Sequence, residues 1–414
     1  MSYPINFWYG IPKNYINEYR ITEAAQAGFN IIECRYDTET NKQVLKWCET
    51  HGLKAYLWDD RMYKAIAGEY GWERYLDSMI DEYKDFPALD RYFIKDEPVG
   101  TQFPMLERIA SYLHEHDKKH GFYINLLPIH AMPEGETYEE HVEDFINMTH
   151  PTLLSYDHYC MKKIEADSIE TKENEAFFEA CVSDECRKRN NTEGIIYKEL
   201  TTGGYFENLE FIRNKANKYS IDWMIIILLS EHWHYRKLCE AEIRFEVFTA
   251  LAYGSSQLSY FTYWTPGTAH TEPWSYHHAI ISADGEKDEN YYIVSRINNE
   301  IQTLMQAVGN SKNLEVFHVG SETDPLCKNF TNFEDVRHIG GGKFVAGFFE
   351  DGKFILANKD FHFAAYAEIS LGNKKLLQKY SKSRKVWENI SQNSDCTVFI
   401  GAGDGELFRV VDTL

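Results

Sequence analysis

The sequence has no CxxC pair, no long hydrophobic run and no surplus of positive charge, and each absence excludes a class of protein. Its eight cysteines are scattered over 414 residues without the spacing of a zinc site. The longest apolar run, Trp223 to Leu229, has the length of a strand and is too short to span a membrane. Lys and Arg total 43 against 64 Asp and Glu, which gives a formal net charge of −21. We therefore expect no nucleic-acid partner and no membrane partner.

The first ten residues, MSYPINFWYG, also lack the basic start and the apolar stretch of a signal peptide. We expect a protein that is either cytoplasmic or exported with its signal already removed, and cysteines that are mostly buried free thiols. There is no glycine motif for a nucleotide or a phosphate, and the one glycine cluster, Gly340 to Gly342, lies between two predicted strands. No cofactor and no metal are expected, and the sequence does not indicate an oligomeric state.

Aromatic residues are in surplus and make up 15% of the chain. A neutral ligand suits the acidic balance of the chain, and stacking against sugar rings would require exposed aromatic faces. The same side chains also fill hydrophobic cores, so composition alone leaves both uses open.

Short apolar or β-branched runs alternate with stretches of helical periodicity through most of the chain. Continuous apolar strands, each followed by an amphipathic helix, are typical of a parallel sheet that is buried on both faces. Eight such strands predict an α/β fold, a (β/α)8 TIM barrel. The predicted strands are Ile5–Tyr9, Asn30–Arg35, Leu53–Trp58, Arg91–Lys95, Phe122–Leu127, Thr152–Tyr156, Trp223–Leu229 and Gln257–Tyr263.

The domain organisation predicted from this pattern is a catalytic barrel at residues 1–310 and a small C-terminal β-sandwich at residues 311–414. A helix at Glu289–Val308 closes the predicted barrel. One connection, at about 160–204, is too long for the repeating unit, and we interpret it as an insertion after the sixth strand, on the face that carries active sites. The C-terminal part alternates apolar and polar residues between turn signals such as Asp351-Gly352, which favours a sandwich.

The carboxyl ends of the predicted strands, where barrel enzymes carry their functional residues, are rich in acidic and aromatic side chains. Strand four ends in Asp96 and Glu97, strand six in Asp157, and strand seven in Glu231. Cleavage of a glycosidic bond needs two carboxyl groups across a barrel mouth. One protonates the leaving oxygen, while the other attacks the anomeric carbon or activates water.

The run Phe93 to Pro98, FIKDEP, resembles the acid/base segment of the clan of retaining (β/α)8-barrel glycoside hydrolases that includes families 5, 35 and 42. By position in the barrel, this resemblance implies Glu97 as the acid/base and Glu231 as the nucleophile. It also implies Arg35 as the partner that keeps Glu231 ionised, and Trp264 as the aromatic floor beneath the sugar.

One position departs from the pattern of the clan, which usually has Asn before the acid/base, where this chain has Asp96. The exact family and the substituent at position 2 of the sugar are therefore left open. Asp157 is the alternative to Glu231, because it also ends a strand and lies between aromatic residues. The remaining substrate-binding residues expected at the strand ends are Trp58, Asp59, Asn125, His158, Tyr159 and His232. Further stacking or hydroxyl-binding candidates are Trp233, His234, His270, Trp274, His277 and His278.

The sequence therefore predicts a glycoside hydrolase that cleaves an oligo- or polysaccharide by a two-carboxylate, retaining mechanism. The alternative is a barrel that binds carbohydrate without cleaving it, with Asp96 as the sign of a decayed site. A metal-dependent barrel hydrolase is not expected, because Trp8, Tyr9 and Gly10 stand where such enzymes carry His-x-His. The sugar, its linkage, and cleavage at chain ends or within chains are not predicted.

Overall fold

The structure is a computed structural model that describes residues 2–68, 70–162, 204–233, 235–267, 275–320, 326–390 and 394–413. Nearly all of the predicted insertion at 160–204 lies outside these residues, as do His234, His270 and Trp274. Of the helices in the described ranges, none combines the length and the apolar character needed to cross a membrane.

Eight parallel strands form one sheet in the order β1-β8-β7-β6-β5-β4-β3-β2. The Asn30 backbone N–H donates to the Ile5 carbonyl oxygen at 3.1 Å, and the Ile5 N–H donates to Asn30 Oδ1 at 2.8 Å. These bonds join the first strand to the start of the second and bring the two edges of the sheet together into a barrel. The strands are β1 Ile5–Trp8, β2 Ile31–Cys34, β3 Lys54–Leu57, β4 Leu89–Asp96, β5 Gly121–Leu126, β6 Leu153–Asp157, β7 Asp222–Leu228 and β8 Gln257–Phe261.

Helices follow the strands and cover the outside of the barrel. Several begin at a side chain that caps the first turn: Asn17, Asp37 and Thr137 each accept a hydrogen bond from a backbone N–H three residues further on. The helices are α1 Glu18–Gln26, α2 Thr38–Thr50, α3 Asp60–Ile66, α4 Glu73–Tyr83, α5 Phe103–His116, α6 Tyr138–Thr149, α7 Tyr205–Tyr219, α8 Glu240–Ala252 and α9 Glu289–Val308.

The barrel interior is filled by side chains. Successive residues of a strand point to opposite faces, so each strand sends every second side chain inward. Trp58 on the end of β3 and Phe93 on β4 stack there with their ring centroids 3.5 Å apart. The inner cluster consists of Ile31, Tyr56, Trp58, Phe93, Tyr123, Leu153, Met224 and Ile226.

The C-terminal part forms two antiparallel sheets, of three strands in the order β10-β13-β16 and of six strands in the order β15-β14-β17-β12-β11-β9. Side chains of both sheets, among them Phe344, Phe354 and Ile369, share one hydrophobic core, as in a β-sandwich. The strands are β9 Asn313–Val319, β10 Val336–Gly340, β11 Phe344–Phe349, β12 Lys353–Asn358, β13 Ala365–Leu371, β14 Lys375–Ser381, β15 Val386–Asn389, β16 Asp395–Ile400 and β17 Gly405–Asp412.

The other face of the six-stranded sheet packs against α8, which also packs on the barrel. Gly347 on β11 lies so close that a Cβ atom there would be 1.7 Å from the carbonyl oxygen of Ala252. Gly405 on β17 lies similarly close to the ring of Phe248. A charge network adds to this contact, since Arg244 of α8 binds Glu300 of α9 and Asp404 of the sandwich at 2.9 and 3.2 Å.

The structure confirms the predicted barrel with a C-terminal β-sandwich. The predicted closing helix has the bounds of α9, and all eight predicted barrel strands are present with ends shifted by a few residues. Helix α8 was missed because its buried residues lie on every side, which removes the amphipathic pattern. Strands β10, β14 and β15 were missed because polar residues such as Arg337, Lys379 and Glu388 interrupt their apolar pattern.

Gly347→Ala should lower the free energy of unfolding by about 2 kcal/mol or more, because the new methyl group would collide with the Ala252 carbonyl oxygen. Gly267→Ala is the matched control, since a Cβ there would meet no atom within 4 Å, and it should change stability by less than about 0.5 kcal/mol. Denaturant unfolding of both variants measures the difference. Equal stabilities would contradict the close packing of β11 on α8.

Candidate active site

A cavity of about 490 Å³ opens at the carboxyl ends of the barrel strands. Its polar side is formed by Asp96 and Glu97 after β4, Asn125 on β5 and Asp157 on β6. Aromatic and histidine side chains cover much of the rest, namely Trp8, His130, Tyr159, His232, Trp233, Tyr235, Phe261 and Tyr276. This is the end at which barrel enzymes carry their chemistry.

The backbone after β4 turns two consecutive side chains toward the same cavity. The β4–β5 register shifts between Phe93 and Asp96, and Glu97 has a left-handed φ of 43°. The Glu97 N–H still donates to the Asn125 carbonyl oxygen at 2.8 Å, which holds this conformation against the neighbouring strand. Non-glycine residues with a left-handed backbone are uncommon, and those that occur are concentrated at functional sites. Asp96 and Glu97 therefore both line the cavity, although neighbouring residues of a regular strand would face opposite ways.

Asn125 connects the carboxyl groups on its two sides. Its Nδ2 donates to Asp157 Oδ1 at 2.8 Å and lies 3.3 Å from Asp96 Oδ1. Its Oδ1 accepts a hydrogen bond from the Ser155 hydroxyl at 2.9 Å, so the orientation of the amide is fixed. Asp157 lies within hydrogen-bonding reach of Glu97, which brings three carboxyl groups and one amide into one cluster.

Three carboxyl groups this close cannot all be ionised, and their pKa values separate accordingly. Removal from bulk water raises the pKa of Asp96 to about 6, although the Asn125 hydrogen bond opposes the shift. Loss of solvent and the neighbouring Asp96 charge raise the pKa of Glu97 to about 7. Burial and the neighbouring charges of Glu97 and Asp96 raise the pKa of Asp157 well above its ordinary value.

The wall opposite the carboxyl groups is aromatic. Tyr159 packs on Phe261 with ring centroids 5.4 Å apart, and His232 stacks on Tyr276 at 4.8 Å. The His232 Nδ1 lies 2.8 Å from the Ser230 carbonyl oxygen, so this nitrogen is the protonated one, because a carbonyl only accepts. Trp233, at the rim, is 49% exposed. This wall offers ring faces and a few polar atoms, which is suited to a sugar.

Glu231 does not lie on the wall of this cavity. Its backbone pairs with that of His277, at 2.9 and 2.8 Å, in an extended arrangement in which the next residue, His232, takes the cavity side. The Glu231 carboxylate lies 3.9 Å from His278 Nε2, and His278 Nδ1 in turn lies 3.5 Å from Asp288. The structure thus brings Glu97 and Asp157 together in this cavity, and places the Glu231 carboxylate beside His278.

Arg35 and Trp264 line a second cavity, of about 570 Å³, at the same end of the barrel. The Arg35 guanidinium lies 4.5 Å above the ring of the buried Trp58, and it acts electrostatically on Glu33. Glu33 accepts a hydrogen bond from the Gly10 N–H at 2.9 Å, and burial raises its pKa to about 7. Trp264 is only 1% exposed and packs at a tilt of 41° against Tyr15, with ring centroids 4.8 Å apart, so little of its ring can support a sugar.

Two further residues predicted to bind substrate have structural partners instead. Asp59 caps α3 and binds the Arg61 side chain at 2.8 Å and the Tyr83 hydroxyl at 3.1 Å. His158 is fully buried and donates from Nδ1 to Asn208 on α7 at 3.0 Å. Both side chains fix the layer between strands and helices, and neither lines the cavity.

Sequence reasoning missed several residues that line the cavity, among them His130, Lys162, Tyr235 and Tyr276. All of them lie on connections after strands, where spacing does not tell which side chain turns inward. Trp8 had a usable signal, because it ends β1 as other predicted site residues end their strands. Within the described residues, no group of three or more His, Cys, Asp or Glu is arranged to hold a metal ion.

Comparison with known proteins gives similarity in fold but not in sequence. No protein-family model matches the chain, and no curated protein sequence matches it. A glycoside hydrolase family 5 structure from Bacteroides vulgatus ATCC 8482 aligns with a TM-score of 0.56 at 11% identity, over 95% of this chain and 85% of that one. A second structure, described as a glycoside hydrolase, aligns with a TM-score of 0.57 at 11% identity, over 95% and 88% of the two chains.

A β-galactosidase from the Antarctic haloarchaeon Halorubrum lacusprofundi aligns with a TM-score of 0.52 at 11% identity. The alignment covers 76% of this chain and 59% of the β-galactosidase. At such identities the similarity establishes the fold alone: a (β/α)8 barrel of the kind that these glycoside hydrolases share.

Glu97→Gln should raise the melting temperature at pH 8 and leave it nearly unchanged at pH 4. The pKa of Glu97 rises from an ordinary 4.5 to about 7 in the folded protein. Ionising Glu97 is therefore less favourable in the folded protein than in the unfolded chain, so the free energy of unfolding falls as pH rises from 4.5 to 7. Gln does not ionise, so the variant avoids this loss. Calorimetry at pH 4, 6 and 8 measures the effect. Glu134→Gln, at an exposed carboxylate on the loop between β5 and α6, is the control. An equal difference at all three pH values would contradict the raised pKa.

Proposed function

We propose that this chain hydrolyses glycosidic bonds with Glu97 as the general acid and base. One observation carries the proposal: the Glu97 carboxyl group stands beside Asp96 at the end of β4, in the cavity at the carboxyl end of a parallel barrel. The raised pKa of Glu97, about 7, is consistent with this role. A glycosidic oxygen leaves only if it is protonated as its bond breaks, and a carboxylic acid that keeps its proton near neutral pH supplies that proton.

The ionised neighbour Asp96 is the second element of this mechanism. Bond cleavage leaves positive charge on the anomeric carbon and the ring oxygen, and a nearby carboxylate stabilises that charge. The same carboxylate keeps Glu97 protonated until the proton is needed. The two groups thus have different protonation states in the same cavity, which is the arrangement required of an acid and its anionic partner.

The substrate we propose is a carbohydrate. The cavity joins carboxyl groups to the ring faces of Tyr159, Phe261 and Tyr276, and the exposed Trp233 extends the aromatic surface at the rim. Fold neighbours are consistent with this class, because the similar structures include a family 5 glycoside hydrolase and a β-galactosidase. The linkage and the length of the sugar chain are not part of the proposal.

Two versions of the two-carboxylate mechanism differ in which group attacks the anomeric carbon. With Glu231 as nucleophile and Arg35 as its partner, the Glu231 carboxylate must turn from His278 toward the cavity. With Asp157, the second carboxyl group already stands beside Glu97. A retaining pair lies about 5 to 5.5 Å apart and an inverting pair about 6.5 to 9.5 Å.

Glu97→Gln should lower kcat on a broad panel of aryl glycosides and oligosaccharides by about 100-fold or more, because the proton donor is lost. Glu97→Ala with an activated aryl glycoside should regain turnover when azide is added and release a glycosyl azide, which proton NMR identifies. Glu231→Gln and Asp157→Asn are measured beside it, since a carboxylate that acts as nucleophile would be as sensitive as Glu97. Wild-type protein that binds oligosaccharides without cleaving any would instead indicate the non-catalytic barrel.

The pH dependence of kcat/KM should show a falling limb as pH rises through about 7, because Glu97 is active in its protonated form. The Asp96 charge raises the pKa of Glu97, so Asp96→Asn should move this limb to lower pH in the residual activity. Initial rates from pH 4.5 to 9 measure this limb in the wild-type protein and in Asp96→Asn. A limb that stays in place in Asp96→Asn would show that another group titrates there.

A further inference from the structure

We propose that the nucleophile comes from the substrate: the geometry points to a 2-acetamido sugar whose carbonyl oxygen attacks its own anomeric carbon while Asp96 binds the acetamido N–H. This inference rests on the proposed function, because it needs Glu97 as the acid that protonates the leaving oxygen.

The first support is that Asp96 and Glu97 act on the same space from adjacent positions. Their Cα atoms are about 3.8 Å apart, as in any trans peptide. The left-handed backbone at Glu97 lets both side chains line the cavity. In a pyranoside, the leaving oxygen on carbon 1 and the acetamido nitrogen on carbon 2 are bonded to adjacent atoms. Two adjacent carboxyl groups therefore match two adjacent substituents of one sugar.

The second support is the composition of the opposite wall. Among the described residues that line the cavity, the carboxyl groups are Asp96, Glu97 and Asp157, and all three come from β4 and β6. The described lining residues from β1, β8 and the segment after β7 include Trp8, Phe261, His232 and Tyr235, none of which is a carboxylate. A protein carboxylate facing Glu97 across the anomeric carbon is therefore not among them. Participation by the substrate removes the need for one, and such hydrolases form a recognised exception to the two-carboxylate rule.

The third support is the depth and orientation of the two carboxyl groups. Asp96 is half-buried, whereas Glu97 is exposed toward the opening. Asn125 Nδ2 lies 3.3 Å from Asp96 Oδ1, which holds the Asp96 carboxylate on the side of β5. An acetamido group placed against Asp96 points inward, and its methyl group can pack on the aromatic lining formed by Trp8 and Phe261. The leaving group is then directed outward, past Glu97.

The reaction balances without another reagent. The acetamido carbonyl oxygen forms a bond to carbon 1, the bond from carbon 1 to the leaving oxygen breaks, and the Glu97 proton moves to that oxygen. The five-membered oxazolinium ion carries its positive charge beside the Asp96 carboxylate. Glu97, now ionised, removes a proton from water as the water oxygen attacks carbon 1. The oxazolinium ring opens, the acetamide is restored, and the product keeps the configuration of the substrate.

The experiment compares 4-nitrophenyl 2-acetamido-2-deoxy-β-glycosides with the matching 2-hydroxy glycosides, in both the gluco and the galacto series. We expect kcat/KM to be at least about 100-fold higher for the acetamido substrate of one series. Replacing the acetyl group with mono-, di- and trifluoroacetyl should lower kcat progressively, because each fluorine weakens the attacking carbonyl oxygen. A 1,2-fused thiazoline of the preferred sugar, which mimics the cyclised intermediate, should bind more tightly than the sugar itself by calorimetry.

Asp96→Asn should lower kcat by about 100-fold with a smaller change in KM, because it loses the anion that stabilises the oxazolinium ion. Melting temperatures confirm that each variant is folded, and Glu134→Gln controls for the loss of one acidic charge near the mouth. Hydrolysis of 2-hydroxy glycosides at an equal or higher rate, with the same dependence on Glu97, would overturn this inference and leave the proposed function intact. No Glu97-dependent hydrolysis of any glycoside would overturn both. Insensitivity to fluorination or to Asp96→Asn would also overturn the role of the acetamido group.

Discussion

Alternation of side chains along eight parallel strands is the constraint on which the rest of this molecule depends. Each strand has one inward and one outward set, so the residue that reaches the barrel mouth is determined by register at the strand end. His232 occupies the cavity side of the segment after β7, and Glu231, one residue earlier, is turned toward His278. Only a local break of the rule, as at Glu97, delivers two neighbouring side chains to one place. The chemistry of the site thus follows from where the backbone obeys the alternation and where it departs from it.

The sequence was sufficient for the architecture because that architecture is repeated. Eight apolar strands and their helices each carry the same signal, and an error of one or two residues at a strand end leaves the barrel unchanged. A site has no such redundancy. Asp96, Glu97, Asn125 and Asp157 could be predicted because they directly follow or end well-defined strands. The position of Glu231 could not, because it lies three residues beyond β7, where an error of one residue exchanges the two faces.

Sequence also could not separate residues that bind a ligand from residues of the same type that stabilise the fold. Asp59 and His158 look like site residues in the sequence because they follow strands, but a helix cap and a buried amide partner already engage them. Trp58 and Trp264 are buried, and their rings pack against protein. Composition cannot separate a ring that packs in a core from one that faces a ligand. The answer depends on contacts between distant segments, such as the stack of Trp58 on Phe93, which no local pattern contains.

Helix α8 lies in one hydrophobic core between the barrel strands and the six-stranded sheet, since Phe248 belongs to the same cluster as Ile225 of β7 and Ile355 of β12. The strand that covers Phe248, β17, spans Gly405–Asp412, so it completes the environment of a helix that is made about 160 residues earlier. During synthesis, the barrel emerges with this apolar helix uncovered on one side, and it stays so until the C-terminal strands arrive. The barrel and the sandwich are therefore coupled in time as well as in space. Until β17 has formed, the apolar side of α8 in the nascent chain is open to association with other molecules.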